Sequence, residues 1–96
     1  MIQHCVLLRF SDDLPAGQLE RIRTELVAFA AMLPGVRSYQ CGPNVGADTN
    51  HAFGIAATFD DLTGWAAYDQ ADEHMRIRRE LIAPWLTERA GVQFEI

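Results

Sequence analysis

The chain contains no lysine; all eight of its basic residues are arginine. Without an ε-amine it has no group for Schiff-base catalysis, so carbonyl chemistry through an enzyme-bound imine is excluded. It has only two cysteines, Cys5 and Cys41, and they form no CxxC pair. They make neither a zinc site nor a disulfide framework, and each is expected to act as a small buried apolar residue. The three histidines, His4, His51 and His74, lack local metal-ligand spacing, and no Gly-rich phosphate loop is present, so neither a metal nor a nucleotide cofactor is expected. No apolar run reaches membrane-spanning length. A strand pattern starts directly after Met1, so no secretory signal is expected and a cytoplasmic location is the expectation.

Charge of one sign is also scarce. Eight basic residues face thirteen acidic ones, a formal charge of −5, and there is no basic stretch. That argues against nucleic acid or an anionic membrane surface as partner. Arg76, Arg78 and Arg79 are the one local basic cluster, and Asp72, Glu73 and Glu80 lie beside them, which reads as a solvated helix face, with an anion clamp as the alternative. Ninety-six residues, 49% of them hydrophobic, are enough for one domain with its own core.

Periodicity supplies the elements. Ile2, His4, Val6, Leu8 and Phe10 alternate with Gln3, Cys5, Leu7 and Arg9, a strand with both faces partly apolar. Leu19, Ile22, Leu26, Phe29 and Leu33 recur at 3-4-3-4 spacing and predict a helix over about residues 15–33, with Pro15 in its first turn and Pro34-Gly35 ending it. A second strand covers Val36 to Cys41, with Val36 and Ser38 opposed to Arg37, Tyr39 and Cys41. Residues 42–50 read as a loop, and a third strand follows over about 51–59. Asp60 or Asp61 is expected to cap a short helix carrying Leu62, Trp65 and Tyr68. A longer helix then runs to about Trp85, with Pro84 bending or ending it, and Gly91 precedes a last strand with Val92, Phe94 and Ile96 on one side.

This order, β-α-β-β-α-α-β, is an α+β, ferredoxin-like plan: a four-stranded antiparallel sheet with helices on one face. The larger apolar set of each strand is expected to face the helices. The other face would carry Cys5, Leu7, Tyr39, Cys41, Ala52 and Ala56, too apolar for water, so burial against a second copy of the chain, as a homodimer, is predicted.

Tyr68-Asp69-Gln70-Ala71-Asp72-Glu73-His74 is the stretch with chemical content. Tyr and His are the chain's best acid–base candidates, but on an unbroken helix six residues leave them about 120° apart. They reach one pocket only if the chain bends between them, and Asp69, Asp72 or Glu73 lie where a new helix cap would fall. In such a pocket His74 would take an acidic proton next to a carbonyl, and Tyr68 would hydrogen-bond the oxygen as charge develops. His4 would orient His74 or bind a substrate oxygen. Leu8, Phe29, Phe53, Ile55 and Trp65 would shape the binding space between sheet and helices. Buried structural roles for the same Tyr and His, and core-anchor roles for Trp65 and Trp85, are the competing interpretation.

An ordered set of segments resembles the stress-responsive A/B barrel (Dabb) family of dimeric α+β barrels. The segments are Met1 to Phe10, Leu33-Pro34-Gly35-Val36, the Gly42-x-Asn44 turn, Phe59-Asp60 with Leu62, Tyr68 to His74, and Phe94-Glu95-Ile96. The resemblance implies a homodimer and a small hydrophobic or polyketide-like ligand bound without a cofactor. Plant polyketide cyclases of this family use the Tyr and the last His of a Tyr-x-x-His-Pro-x-His motif, which fall on Tyr68 and His74, with His4 on a first-strand His beside the pocket. Ala71 stands where that motif has His, and Asp72 where it has Pro. His51 is two residues out of register with a third-strand His of those enzymes and is not equated with it. The functional expectation is a small-molecule-binding protein, as a cofactor-free cyclase or isomerase. A non-catalytic dimeric stress-associated module and a cofactor-independent monooxygenase of the same barrel superfamily are the alternatives.

Overall fold

The computed structural model describes residues 1–46 and 51–96. Four strands, β1 (Ile2–Phe10), β2 (Val36–Pro43), β3 (Phe53–Phe59) and β4 (Leu86–Glu95), form one sheet in the order β2-β3-β1-β4, every neighbouring pair antiparallel. Helices α1 (Gln18–Ala30), α2 (Leu62–Gln70) and α3 (Asp72–Ile77), with a π-helical turn Arg78–Ile82, cover one face. The ferredoxin-like α+β plan read from periodicity is therefore the fold. The last four residues of the expected 42–50 loop lie outside the described residues.

Several boundaries move for local reasons. Helix α1 starts at Gln18 rather than at residue 15 because Gly17 sits at φ 80, a left-handed conformation that cannot continue a right-handed helix. Its apolar stripe is as expected, with Ile22, Leu26 and Phe29 buried against the sheet. Strand β2 runs on to Pro43, and β3 begins at Phe53. The second long helix does not reach Trp85: α3 ends at Ile77, the π turn follows, and the chain is already extended from Leu86. Pro84 lies just beyond the helical segment, as its missing N–H requires.

Asp61 is the cap of α2, its carboxylate accepting from the Gly64 N–H at 2.8 Å, while Asp60 pairs with Arg37. The first turn of α2 comes unusually near the chain that follows α1. A Cβ added at Gly35 would lie 3.0 Å from the Gly64 Cα. Two glycines facing each other let the backbones touch, which sets the depth at which α2 sits on the sheet.

Two expectations about sheet faces are overturned. The pairing of β2 with β3 shifts register between Val36 and Ser38, so that Val36, Tyr39 and Cys41 oppose the inward residues Phe59, Ala57 and Ile55. A bulge adds one residue and reverses the alternation beyond it. Tyr39 and Cys41 therefore face the helices, not the outer surface, and burial pushes the Cys41 thiol up to about 11. On β4, Val92 and Phe94 oppose Cys5 and Gln3 on the outer face, where both are about half exposed. The inner positions of β4 are Arg89, Gly91 and Gln93, opposite Leu8, Val6 and His4. The more apolar side of this strand thus points away from the helices, and its helix-facing side is polar.

Candidate functional site

The bend between α2 and α3 falls on a single residue. Ala71 takes extended angles, φ −61 and ψ 140, between two helical residues. Neither Asp69 nor Asp72 caps the new helix through its side chain. What closes the break is His74, whose Nδ1 lies 2.9 Å from the Asp69 carbonyl oxygen. A carbonyl only accepts, so Nδ1 carries the proton, and in the neutral ring Nε2 is left with the lone pair. Among the described residues nothing bonds that Nε2. The bond that turns the chain also fixes the imidazole as a base.

This turn brings His74 and Tyr68 together, ring centroids 4.4 Å apart. His4 reaches the same point from the central strand, 5.9 Å from the Tyr68 ring, its Nδ1 held at 2.6 Å by Gln93 Oε1. Phe29 stacks on His74 at 9° between planes and also lies 5.6 Å from the Tyr68 ring, so it packs against both. Both imidazoles are buried. Burial holds His4 and His74 below the usual histidine range, opposing the hydrogen bonds that would raise them, and Arg89 pushes both the same way. The pair is neutral at neutral pH. Burial also lifts the Tyr68 hydroxyl, to about 12, so it remains a proton donor.

Tyr68 has a partner that strand alternation hid. The bulge that turns Tyr39 inward puts its hydroxyl 2.7 Å from that of Tyr68. Burial drives the Tyr39 hydroxyl far above its ordinary range, so it stays protonated and able to donate. With Tyr39 donating, the Tyr68 proton is free for a ligand. The only sequence signal for this residue was an aromatic hydroxyl on a short strand, and its phase was misassigned.

His4, Leu8, Ile55, Tyr68 and His74 line one cavity of about 50 Å³. Phe29, Phe53 and Trp65, expected to shape the binding space, do not line it. Phe29 packs on His74 and Tyr68, Phe53 is in the core, and Trp65 lies 6.4 Å from the His4 ring with its indole N–H buried and unbonded among the described residues. The mouth carries three charged residues that sequence reading did not assign to the site: Asp69, Arg78 and Arg89. His51 is elsewhere, bonded to Glu88. Among the described residues no group of three His, Cys, Asp or Glu side chains is placed to hold a metal, and no helix is long and apolar enough to cross a membrane.

Residues 2–96 match the family described as "Stress responsive A/B Barrel Domain". No curated protein matches the sequence. Among solved structures, a dimeric ferredoxin-like protein of unknown function from Thermobifida fusca is 32% identical, with a TM-score of 0.88 over 99% of this chain and 90% of that one. A dimeric protein of the same fold from Bacteroides fragilis is 22% identical (TM-score 0.83, covering 99% and 95%). A hydroxynitrile lyase from Passiflora edulis shares the fold at 14% identity (TM-score 0.82, covering 99% and 92%). A match over almost the whole length, together with a relative a third identical, places the chain: it belongs to the stress-responsive A/B barrel domain family.

Proposed function

We propose that the protein is a cofactor-free acid–base catalyst acting on a small carbonyl compound. One observation carries this reading: the hydrogen bond from His74 Nδ1 to the Asp69 carbonyl, which leaves a neutral imidazole, packed on the Tyr68 ring, whose Nε2 nothing bonds among the described residues. His74 Nε2 takes a proton from the carbon next to the carbonyl, the C–H electron pair moves into the enolate, and Tyr68 donates a hydrogen bond to the enolate oxygen. Return of the proton from His74 to the same or another carbon completes an isomerisation; in a cyclisation the enolate carbon attacks a second carbonyl within the molecule, and the alkoxide formed as that C=O π bond breaks takes the proton from His74. The same pair of groups suits the reversible deprotonation of a hydroxyl on a carbonyl adduct, the kind of chemistry named for the Passiflora edulis relative.

A cavity of about 50 Å³ is small against the roughly 300–1,000 Å³ of sites for drug-sized ligands. It favours a compact substrate over an extended polyketide. The small volume is also what supports the alternative of a non-catalytic dimeric module. Both readings use a homodimer: Leu7, Val92 and Phe94 are about half exposed on the outer sheet face beside Cys5 and Ala56, a surface suited to meet its own copy.

The test is deuterium incorporation next to the carbonyl of short ketones and oxo esters in D₂O, followed by NMR. The purified protein should accelerate exchange, and His74→Ala should lose about 10²–10⁴-fold, the usual worth of a general base. Exchange at equal rates with the protein and with His74→Ala removes the catalytic reading and leaves the module.

A further inference from the structure

Seven of the eight arginines form ion pairs. Arg89 is the exception: it has no acidic partner among the described residues, and it stands at the mouth of the cavity. Its neighbour Glu88 is on the opposite face of β4, engaged with Arg9 and His51. Arg78 stands on the same cavity from the helical side and is only loosely held, 3.7 Å from Asp69. The mouth therefore carries two guanidinium groups and one carboxylate, in a protein whose formal charge is −5. The Arg89 guanidinium lies against the backbone two residues on, at Gly91. A Cβ on Gly91 would lie 2.8 Å from Arg89 Nη1 and 3.0 Å from Nη2, so the guanidinium lies over a strand position kept bare. Gly91 opposes Val6 on the inner face, and Gln93, two residues on, holds His4. The charged head thus points along β4 toward the histidines.

We propose that Arg89, supported by Arg78, is the carboxylate-binding end of the cavity, and that the ligand is a short oxo acid. This rests on the acid–base reading for its other end. The ligand's carbonyl lies inside against Tyr68 and His74, and its carboxylate lies at the mouth, where a planar guanidinium fork matches it in two parallel hydrogen bonds. The cavity's small volume sets the ligand length to a few carbons. An inward Arg on a half-covered strand, with no acidic partner among the described residues, is thereby explained by a ligand.

The experiment compares pyruvate, its methyl ester and inorganic phosphate by NMR titration of the ¹⁵N-labelled protein, with Arg89→Met and Gly91→Ala beside wild type. Pyruvate should bind at least tenfold more tightly than the ester, Arg89→Met should erase that preference, and Gly91→Ala should weaken it several-fold by displacing a guanidinium that is still present. Equal binding of acid and ester by wild type, no saturable pyruvate binding, an unchanged preference in Arg89→Met, or phosphate binding more tightly than pyruvate would each overturn the proposal. Methyl-proton exchange measured on the same samples separates the two readings. Arg89-dependent binding with no exchange of either ligand removes the catalytic reading and keeps the carboxylate end. Exchange of the ester that is lost in His74→Ala, with no preference for the acid, does the reverse.

Discussion

Replacing His74 by Phe separates what the ring does by shape from what it does by its nitrogens. The stack on Phe29 at 9° between planes and the packing on Tyr68 can be kept by another flat ring. The Nδ1–H bond to the Asp69 carbonyl at 2.9 Å cannot. At pH 7.5 the variant should lose about 1 kcal/mol, the net worth of one such bond, which for a domain of this size lowers Tm by about 4–8 °C. Acid changes the comparison. Burial holds the folded-state pKa of His74 below its ordinary value of 6.5, so below that pH the unfolded chain binds the proton more readily and wild type loses stability as pH falls. The further burial holds the folded pKa below its ordinary value, the more stability wild type forfeits as pH falls. His74→Phe has no proton to bind and escapes that part of the loss, so the gap should narrow at pH 5. His4 is depressed as well and sits in both proteins, so it cancels in the difference to first order. Thermal melts at pH 7.5 and pH 5, at one fixed protomer concentration, give the answer. A constant gap between the two chains at both pH values would refute the claim that His74 is held neutral by burial.

Tyr39→Phe removes the hydroxyl bonded to Tyr68 at 2.7 Å and should cost about 1 kcal/mol in urea unfolding. It should also slow proton exchange, measured on the same short ketones. Gly35→Ala sets a methyl 3.0 Å from the Gly64 Cα, against backbone that has nowhere to go, and should destabilise by about 1–3 kcal/mol, read by thermal melting. Phe94→Glu puts a charge on the half-exposed outer face and should convert a sedimenting dimer to a monomer; a wild-type chain already monomeric at micromolar concentration would count against the dimer.

The fold was legible wherever one element met one environment. Strand β1 and helix α1 each bury a single regular face, so their periods of two and about three and a half appear directly in the letters. Tyr39 was misplaced because a bulge is a property of the pairing between two strands, and Val36 to Cys41 alone carries no mark of it. Strand β4 was misread because its apolar alternation belongs to the outer face; its inner residues Arg89, Gly91 and Gln93 look like solvent positions until the cavity is seen. The meeting of Tyr68 with His74 followed from the need for a bend, but the device was not a capping acid. It was the histidine itself, bonding five residues back to a carbonyl.

The π turn at Arg78–Ile82, closed by the Ala83 N–H on the Arg78 carbonyl at 2.7 Å, holds one residue more than an α-helical turn. That surplus lets the successive residues Leu81 and Ile82 both enter the core while Arg78 stays at the cavity mouth. It also makes the length of the segment heritable information. Losing one residue at Arg79 or Glu80 would restore regular helix and turn Arg78 by about 100° relative to the core pair. Chains of this family that differ by a single-residue gap here would keep the same fold and base, yet present a different charge at the mouth of the cavity.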